Sequence, residues 1–460
     1  MARSDSETEL AVDVVEGIEE RLEKFLKPFL RLLQRREQRE HAAIYVNGRL
    51  RELPRRTTEP IATERGKKRR PLQHFVGAGK WDDGALRSKM CRQLAAEMGS
   101  ADGVLILDGS GFHKGGPESV GTQRQWCGRL GKEEQCQVGE FLVYASRGSV
   151  ALADCELYLP KTWANDRERR ARCHVPKDVA FKTGWLLAAQ MVFERGRLLP
   201  HRWVVGDETY GRPTELRDLF FEKDEQYVLE VHCDAKVRLA RGGDWMQANA
   251  WADALPQRAW QRFTTRDGEK GPIEVRAVKT RVYTPRAPGK GGERPEVLVV
   301  VRNDRDSKTW TYLASDTRSN LKELVRVGAC RHGIEQTLNM GKGDVGLDEY
   351  ELRSWVGWHH HMTLSMLSLW FLVCEHRRIK KTLQQSPLLR SVMRSLSQPP
   401  SYGTRAKSPR SSARSSAATT RPAAITGNAD DDAHRRAYRR VRPSRDVAGD
   451  LPHGELAQFN

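Results

Sequence analysis

Several features are scarce in this sequence of 460 residues, and each scarcity closes off a class of protein. Its apolar runs are short. The longest, over residues 362–374, is interrupted by Thr363, Ser365 and Ser368, whereas a helix crossing the hydrocarbon core needs about 20 mostly apolar residues in succession. The first 17 residues show no basic stretch followed by an apolar one, so they do not read as a secretory signal. The eight cysteines, at 91, 127, 136, 155, 173, 233, 330 and 374, include no CxxC pair and no Cys–His spacing of a zinc site. They read as small buried hydrophobes in a reducing compartment. Gly111, Gly115 and Gly116 fit neither phosphate-loop pattern, and no Lys-Ser/Thr follows them, which excludes a nucleotide cradle.

What is abundant is positive charge. Lys and Arg number 78 against 60 Asp and Glu, a formal net charge of +18. An excess of that size predicts a polyanionic partner, and nucleic acid is the commonest. The expectation is a cytoplasmic, nucleoid-associated protein with no membrane partner.

Pattern divides the chain into five regions. Residues 1–100 read as helical. Leu22, Phe25, Leu26, Phe29, Leu30 and Leu33 recur at helical spacing, while Arg21, Lys24, Lys27, Arg31, Arg35 and Arg36 line the other face. Such a basic helix suits a DNA backbone or an ordinary solvated face. In 101–233, short apolar runs alternate with a helical stretch at 182–195, an α/β pattern. Strands are expected at 139–145 and 149–157, joined at Arg147-Gly148 as a hairpin. Residues 234–318 are rich in Val, Thr, Gly and Pro, with strands expected at 273–283, 296–302 and 309–314. Helical character returns over 319–385. Residues 386–460 are a basic, low-complexity tail that cannot offset its chain entropy by burial, and disorder is expected there.

The chemistry gathers at acids that end apolar runs. Val104-Leu105-Ile106-Leu107 ends at Asp108, and Trp203-Val204-Val205-Gly206 ends at Asp207. Runs of this kind suit strands buried on both faces, and carboxylates at the ends of neighbouring strands converge on one sheet edge. A third acid from a nearby helix completes a hard-oxygen set for magnesium or manganese. Glu335 is the candidate, with Lys342 seven residues on, about two helical turns. Two ions about 3.5–4 Å apart in such a set support phosphodiester chemistry. Arg331 and Lys342 are candidates to hold phosphates, Arg as a fork and Lys as a point charge. Lys114, six residues past Asp108, is a third. The adjacent His359, His360 and His361 point about 100° apart on a helix and read as structural or DNA-facing rather than as a metal site.

Residues 103–372 resemble the DDE-type transposases of bacterial insertion sequences. The matching segments are Leu105-Ile106-Leu107-Asp108-Gly109-Ser110-Gly111-Phe112-His113-Lys114-Gly115-Gly116, Gly206-Asp207-Glu208-Thr209-Tyr210-Gly211, and the spacing Arg331-x3-Glu335-x6-Lys342. The last continues into Gly346-Leu347-Asp348-x-Tyr350-Glu351-x-Arg353-Ser354-Trp355. The resemblance implies an α/β fold with a ribonuclease-H-like catalytic core, carrying a β-rich insertion before the glutamate. A helical DNA-binding region precedes it, and the disordered tail expected after it is a departure from the family, whose members continue with more ordered sequence. It implies Asp108, Asp207 and Glu335 as catalytic metal ligands for two magnesium or manganese ions. The reaction implied is strand cleavage and strand transfer at terminal inverted repeats and target DNA, by a homodimer on DNA. Two departures stand out: Gly109 replaces a second acid beside Asp108, and Gly328 replaces an aromatic residue before Arg331. A catalytically decayed relative that only binds DNA is the alternative. A sugar hydrolase using a carboxylate pair fits the acids but not the charge.

Overall fold

Every residue of Val104–Leu107 is buried, and so is every residue of Trp203–Gly206. Such runs need strands on both edges and helices on both faces, and the chain is built that way. The computed structural model describes residues 17–268, 271–303, 306–316 and 318–385. The expected disordered tail, 386–460, lies outside the described residues.

Among the described residues five helices come first: α1 (Ile18–Leu30), α2 (Arg36–Arg49), α3 (Thr58–Glu64), α4 (Arg69–Gly77) and α5 (Asp83–Met98). Then come β1 (Val104–His113), β2 (Gln123–Cys127), β3 (Lys132–Ser146), β4 (Ser149–Leu157), α6 (Gly184–Glu194), β5 (Trp203–Gly206), α7 (Thr214–Glu222) and β6 (Tyr227–Val231). Four long strands follow, β7 (Gln261–Gly268), β8 (Gly271–Pro285), β9 (Glu293–Asn303) and β10 (Asp306–Ser315). The last described helices are α8 (Leu321–Ala329), α9 (His332–Val345) and α10 (Trp355–Gln385).

The large sheet has ten strands in the order β2-β3-β1-β5-β6-β10-β9-β8-β7, with β4 also beside β3. Strand β1 pairs antiparallel with β3 and parallel with β5, and β5 pairs parallel with β6. The order β4-β3-β1-β5-β6 is compatible with the ribonuclease-H-like core that the resemblance implies. The β3–β4 hairpin turns at Arg147 and Gly148, both with positive φ (48° and 69°), the backbone that a tight two-residue hairpin requires.

The β-rich stretch expected within 234–318 joins the central sheet. Strand β10 pairs antiparallel with β6 through Ala314 and Leu229, so β7–β10 extend the central sheet. The extension has its own apolar cluster, including Val237, Val282, Leu298, Val300 and Tyr312. Buried Glu296 ties it to α7 and β6, accepting from Arg217 Nη1 (2.9 Å), Tyr227 Oη (2.5 Å) and Thr284. Burial alone would push the Glu296 carboxyl upward, but Arg217 and Arg294 outweigh it and hold it below its ordinary range.

Helices cover both faces. Gly196, just past α6, lies so near Leu105 that a Cβ there would be 2.7 Å from its Cδ1. On the other face Gly333 of α9 rests on Val150 and Ile106. The N-terminal helices pack on α10. Leu22, Leu26 and Phe29 of α1 are buried, and Phe25 meets Phe371 with ring centroids 5.4 Å apart. Arg21, expected on the polar face, instead forks onto Glu375 of α10 at 2.8–3.0 Å. The three histidines are core: His359 meets Glu156 (3.3 Å), His360 stacks on Trp81 with centroids 3.6 Å apart, and His361 meets the Tyr45 hydroxyl (2.8 Å).

Candidate active site

The parallel register sets Leu107 opposite Gly206, so Asp108 and Asp207 occupy adjacent positions where β5 ends. Neighbouring strands lie about 4.8 Å apart. Asp207 begins a single helical turn, Glu208–Gly211, and its Oδ1 accepts from Thr209 N at 2.9 Å. Asp207 is therefore a cap as well as a candidate ligand. Gly211 closes that turn against β6, where a Cβ would fall 1.9 Å from the Glu230 carbonyl oxygen. Gly211→Ala is thus expected to force the turn off the sheet and cost about 3 kcal/mol. A urea midpoint equal to wild type would contradict this.

Alternation along β1 points Asp108 to the face that carries Ile106, which is the face α9 covers. From α9 come Glu335 and Lys342, with Arg331 just before its first residue. The helix runs unbroken through Gly341 and Gly343 to Val345, so Glu335 and Lys342 do lie on one helix. Lys342 Nζ donates to Ser110 Oγ at 2.9 Å. Ser110 is two residues from Asp108, so Lys342 sits about 7 Å along the strand on the same face. The Arg331 guanidinium stands 3.7 Å from Glu335 and 3.9 Å from Glu230. Burial alone would favour its neutral form, but Glu230, Asp207, Glu335 and Asp108 together hold it charged.

The negative charge is in excess. Burial first, then Asp207, pushes the Asp108 carboxyl well above its usual range, and burial raises Asp207 as well. Two carboxylates abreast with one arginine among them form an oxygen-only set that a hard divalent ion would relieve. The donor chemistry therefore fits magnesium or manganese. Among the described residues, no three His, Cys, Asp or Glu side chains already close into a metal cage. Glu335 is half exposed and leans on Arg331 and on His332 (3.6 Å).

Lys114 is not brought to the acids. Six residues of extended chain place it about 20 Å from Asp108. Its ammonium lies 3.2 Å from the Tyr350 ring centroid and donates to the Tyr350 carbonyl at 3.4 Å. Burial pushes its pKa down to about 7.

The acid that sequence reasoning missed is Glu140. It lies on β3 opposite Gly109 and is 5% exposed. Tyr210 Oη donates to its carboxylate. Burial raises Glu140 from 4.5 to about 7, against that hydrogen bond, and Asp207 adds to the rise. The signal was there as one charge inside the apolar run Gly139-Glu140-Phe141-Leu142-Val143, but only the register shows what it faces. Because its folded pKa lies above the unfolded one, the protein loses stability as pH rises from about 4.5 to about 7. Glu140→Gln should therefore stabilise the metal-free protein by about 3 kcal/mol at pH 8 and change little at pH 4. Urea midpoints at the two pH values check this, and equal midpoints at pH 8 would contradict it.

A family model described as DDE superfamily endonuclease matches residues 28–272. The match takes in Asp108, Glu140 and Asp207 and stops before Glu335. No curated protein matches the chain. The description is of a nuclease-type enzyme with DNA as its substrate, and no described helix is long and apolar enough to cross a membrane. Since the match covers more than half of the sequence and both strand-end aspartates, the chain belongs to the DDE superfamily endonucleases.

Proposed function

We propose that this endonuclease is a transposase that cuts DNA at the ends of an insertion element and joins the freed ends to target DNA. The observation that carries the reading is the meeting of Asp108, Asp207, Arg331 and Lys342 on one face of the sheet. Asp108 and Asp207 would hold magnesium or manganese, with Glu335 on α9 as the third ligand. Two metal ions, when bound there, would supply activation of the attacking oxygen and stabilisation of the leaving one. In the first step water attacks the scissile phosphorus, the P–O3′ bond breaks, and the 3′-oxygen leaves with a proton. In the second, that 3′-hydroxyl attacks a new phosphodiester and displaces its 3′-oxygen. Arg331 and Lys342 bind the phosphate oxygens and orient the phosphorus for in-line attack. The exposed run Lys67, Lys68, Arg69 and Arg70 on the helical N-terminal region supports a role for that region in holding the DNA backbone.

The test uses the full chain, magnesium and DNA carrying the repeats that flank its gene. A hairpin or cut at the repeat, followed by joining to a second DNA, is the expected result. Cleavage without joining would reduce the protein to a nuclease. Binding without cleavage would favour the decayed relative.

A further inference from the structure

The Glu140 carboxylate occupies a place made for it. Gly184 leaves the room, since a Cβ there would lie 2.5 Å from Oε1, while Gly109 on the paired strand lies within ordinary contact distance. Its hydrogen bond comes from Tyr210, which is 1% exposed. Tyr210 belongs to the turn that Asp207 begins. Its backbone N donates to the Asp207 carbonyl at 3.1 Å, and its ring packs so closely on Gly206 that a Cβ there would be 2.9 Å from Tyr210 Cβ. Glu140 thus reaches the Asp207 turn from the reverse face of the sheet, since Gly109 and Asp108 point to opposite sides.

A buried acid whose donor is a neutral hydroxyl is a costly way to fill space. Its hydrogen bond comes from the Tyr210 hydroxyl, and burial dominates its charge state. An apolar side chain would fill the space without that cost, but it would leave the Tyr210 hydroxyl, which belongs to the Asp207 turn, without its carboxylate acceptor.

We propose that Glu140 is a positioning residue of the active site, fixing the direction of the Asp207 carboxylate through Tyr210. The inference rests on the metal-ligand reading of Asp207. Groups that orient a ligand from behind typically contribute about 10–100-fold to metal affinity.

The test measures Mn2+ binding to the full-length protein without DNA, by electron paramagnetic resonance, alongside kcat and KM for cleavage. Tyr210→Phe removes one hydroxyl and keeps the ring. It should weaken Mn2+ binding about tenfold or more and lower kcat while leaving KM for DNA within about twofold. Glu140→Ala should do the same. Glu140→Gln keeps a carbonyl acceptor for Tyr210 and should bind Mn2+ within about threefold of wild type. A role in stability alone would lower the urea midpoint and leave Mn2+ affinity of the folded protein unmoved. Asp207→Ala separates the two readings. If it loses Mn2+ while Tyr210→Phe and Glu140→Ala bind as wild type, the positioning role is overturned and the metal site stands. If Asp207→Ala binds Mn2+ as wild type, the metal-ligand reading fails and the positioning role falls with it.

Discussion

Asp108→Asn and Asp207→Asn should each abolish metal-dependent DNA cleavage, by about a thousandfold or more, while DNA affinity stays near wild type. Charge stabilisation of the transition state by a bound ion contributes several kcal/mol, and each 1.36 kcal/mol is tenfold in rate. The two aspartates sit side by side at the sheet edge, and each lies in the field of the other. Losing either negative charge removes half of the pair that faces α9. Without metal the same substitution should firm the fold rather than weaken it. Asp108 has a folded pKa above its unfolded one, so its ionisation destabilises the folded chain as pH rises. Asn keeps the shape and removes the charge. The paired readout is a cleavage rate and a urea midpoint at pH 8. A variant that cuts at wild-type rate, or that simply unfolds, would contradict the assignment.

The second large effect lies away from the chemistry. Arg87 of α5 is 5% exposed and faces three carboxylates. Its Nη1 donates to Asp154 Oδ1 (2.6 Å), the Cys155 carbonyl (2.5 Å) and Glu156 Oε1 (3.1 Å), and its Nη2 donates to Asp83 Oδ2 (2.9 Å). Glu156 passes the network on to His359 of α10. Arg87→Met keeps the aliphatic stem and strips the charge, leaving the acids without their shared cation. Breaking a buried pair this way costs about 3–5 kcal/mol, against a total stability of about 5–15 kcal/mol for a typical protein. Burial already raises Asp154 to about 6 with Arg87 in place. Without Arg87 the acids ionise in the folded state only at still higher pH, so the deficit should be larger at pH 8 than at pH 5. Arg87→Lys should recover only part of it, because one ammonium cannot match a fork that serves several acceptors at once. Midpoints independent of pH, or unchanged from wild type, would contradict this account.

How far the sequence could be read follows from which interactions are local. Val104–Leu107 and Trp203–Gly206 were legible because a continuous apolar run reports burial on both faces, and the aspartate after each run reports the sheet edge. The Arg147-Gly148 hairpin was legible from turn chemistry. The spacing of Glu335 and Lys342 suited one helix, but Gly341 and Gly343 left its last turn open until the structure carried it to Val345. What was hidden depends on distant partners. Nothing near Arg21 announces Glu375, 354 positions away. The pairing of β10 with β6 links segments more than 80 residues apart, and apolar pattern alone does not distinguish an extension of the sheet from a separate layer. Lys114 looked available because it lies close to Asp108 in sequence, but extended chain carries it away to Tyr350. Glu140 needed the register of β1 on β3 before its position meant anything. Gly328, where the related motif has an aromatic residue, also gains its reason from packing: a Cβ there would lie 2.9 Å from Leu313 Cδ1, so glycine lets α8 press onto the sheet.

On the proposed reading, two strand-end aspartates and a helix-borne glutamate hold the ions of a DNA-cutting site. The most direct measurement is a crystal structure of the protein with Mn2+, with the metal located by its anomalous scattering. The account predicts density between the Asp108 and Asp207 carboxylates at oxygen distances of about 2.0–2.2 Å, with Glu335 turned from Arg331 to meet it. Manganese bound elsewhere, with Asp108 and Asp207 not contacting it, would contradict the account.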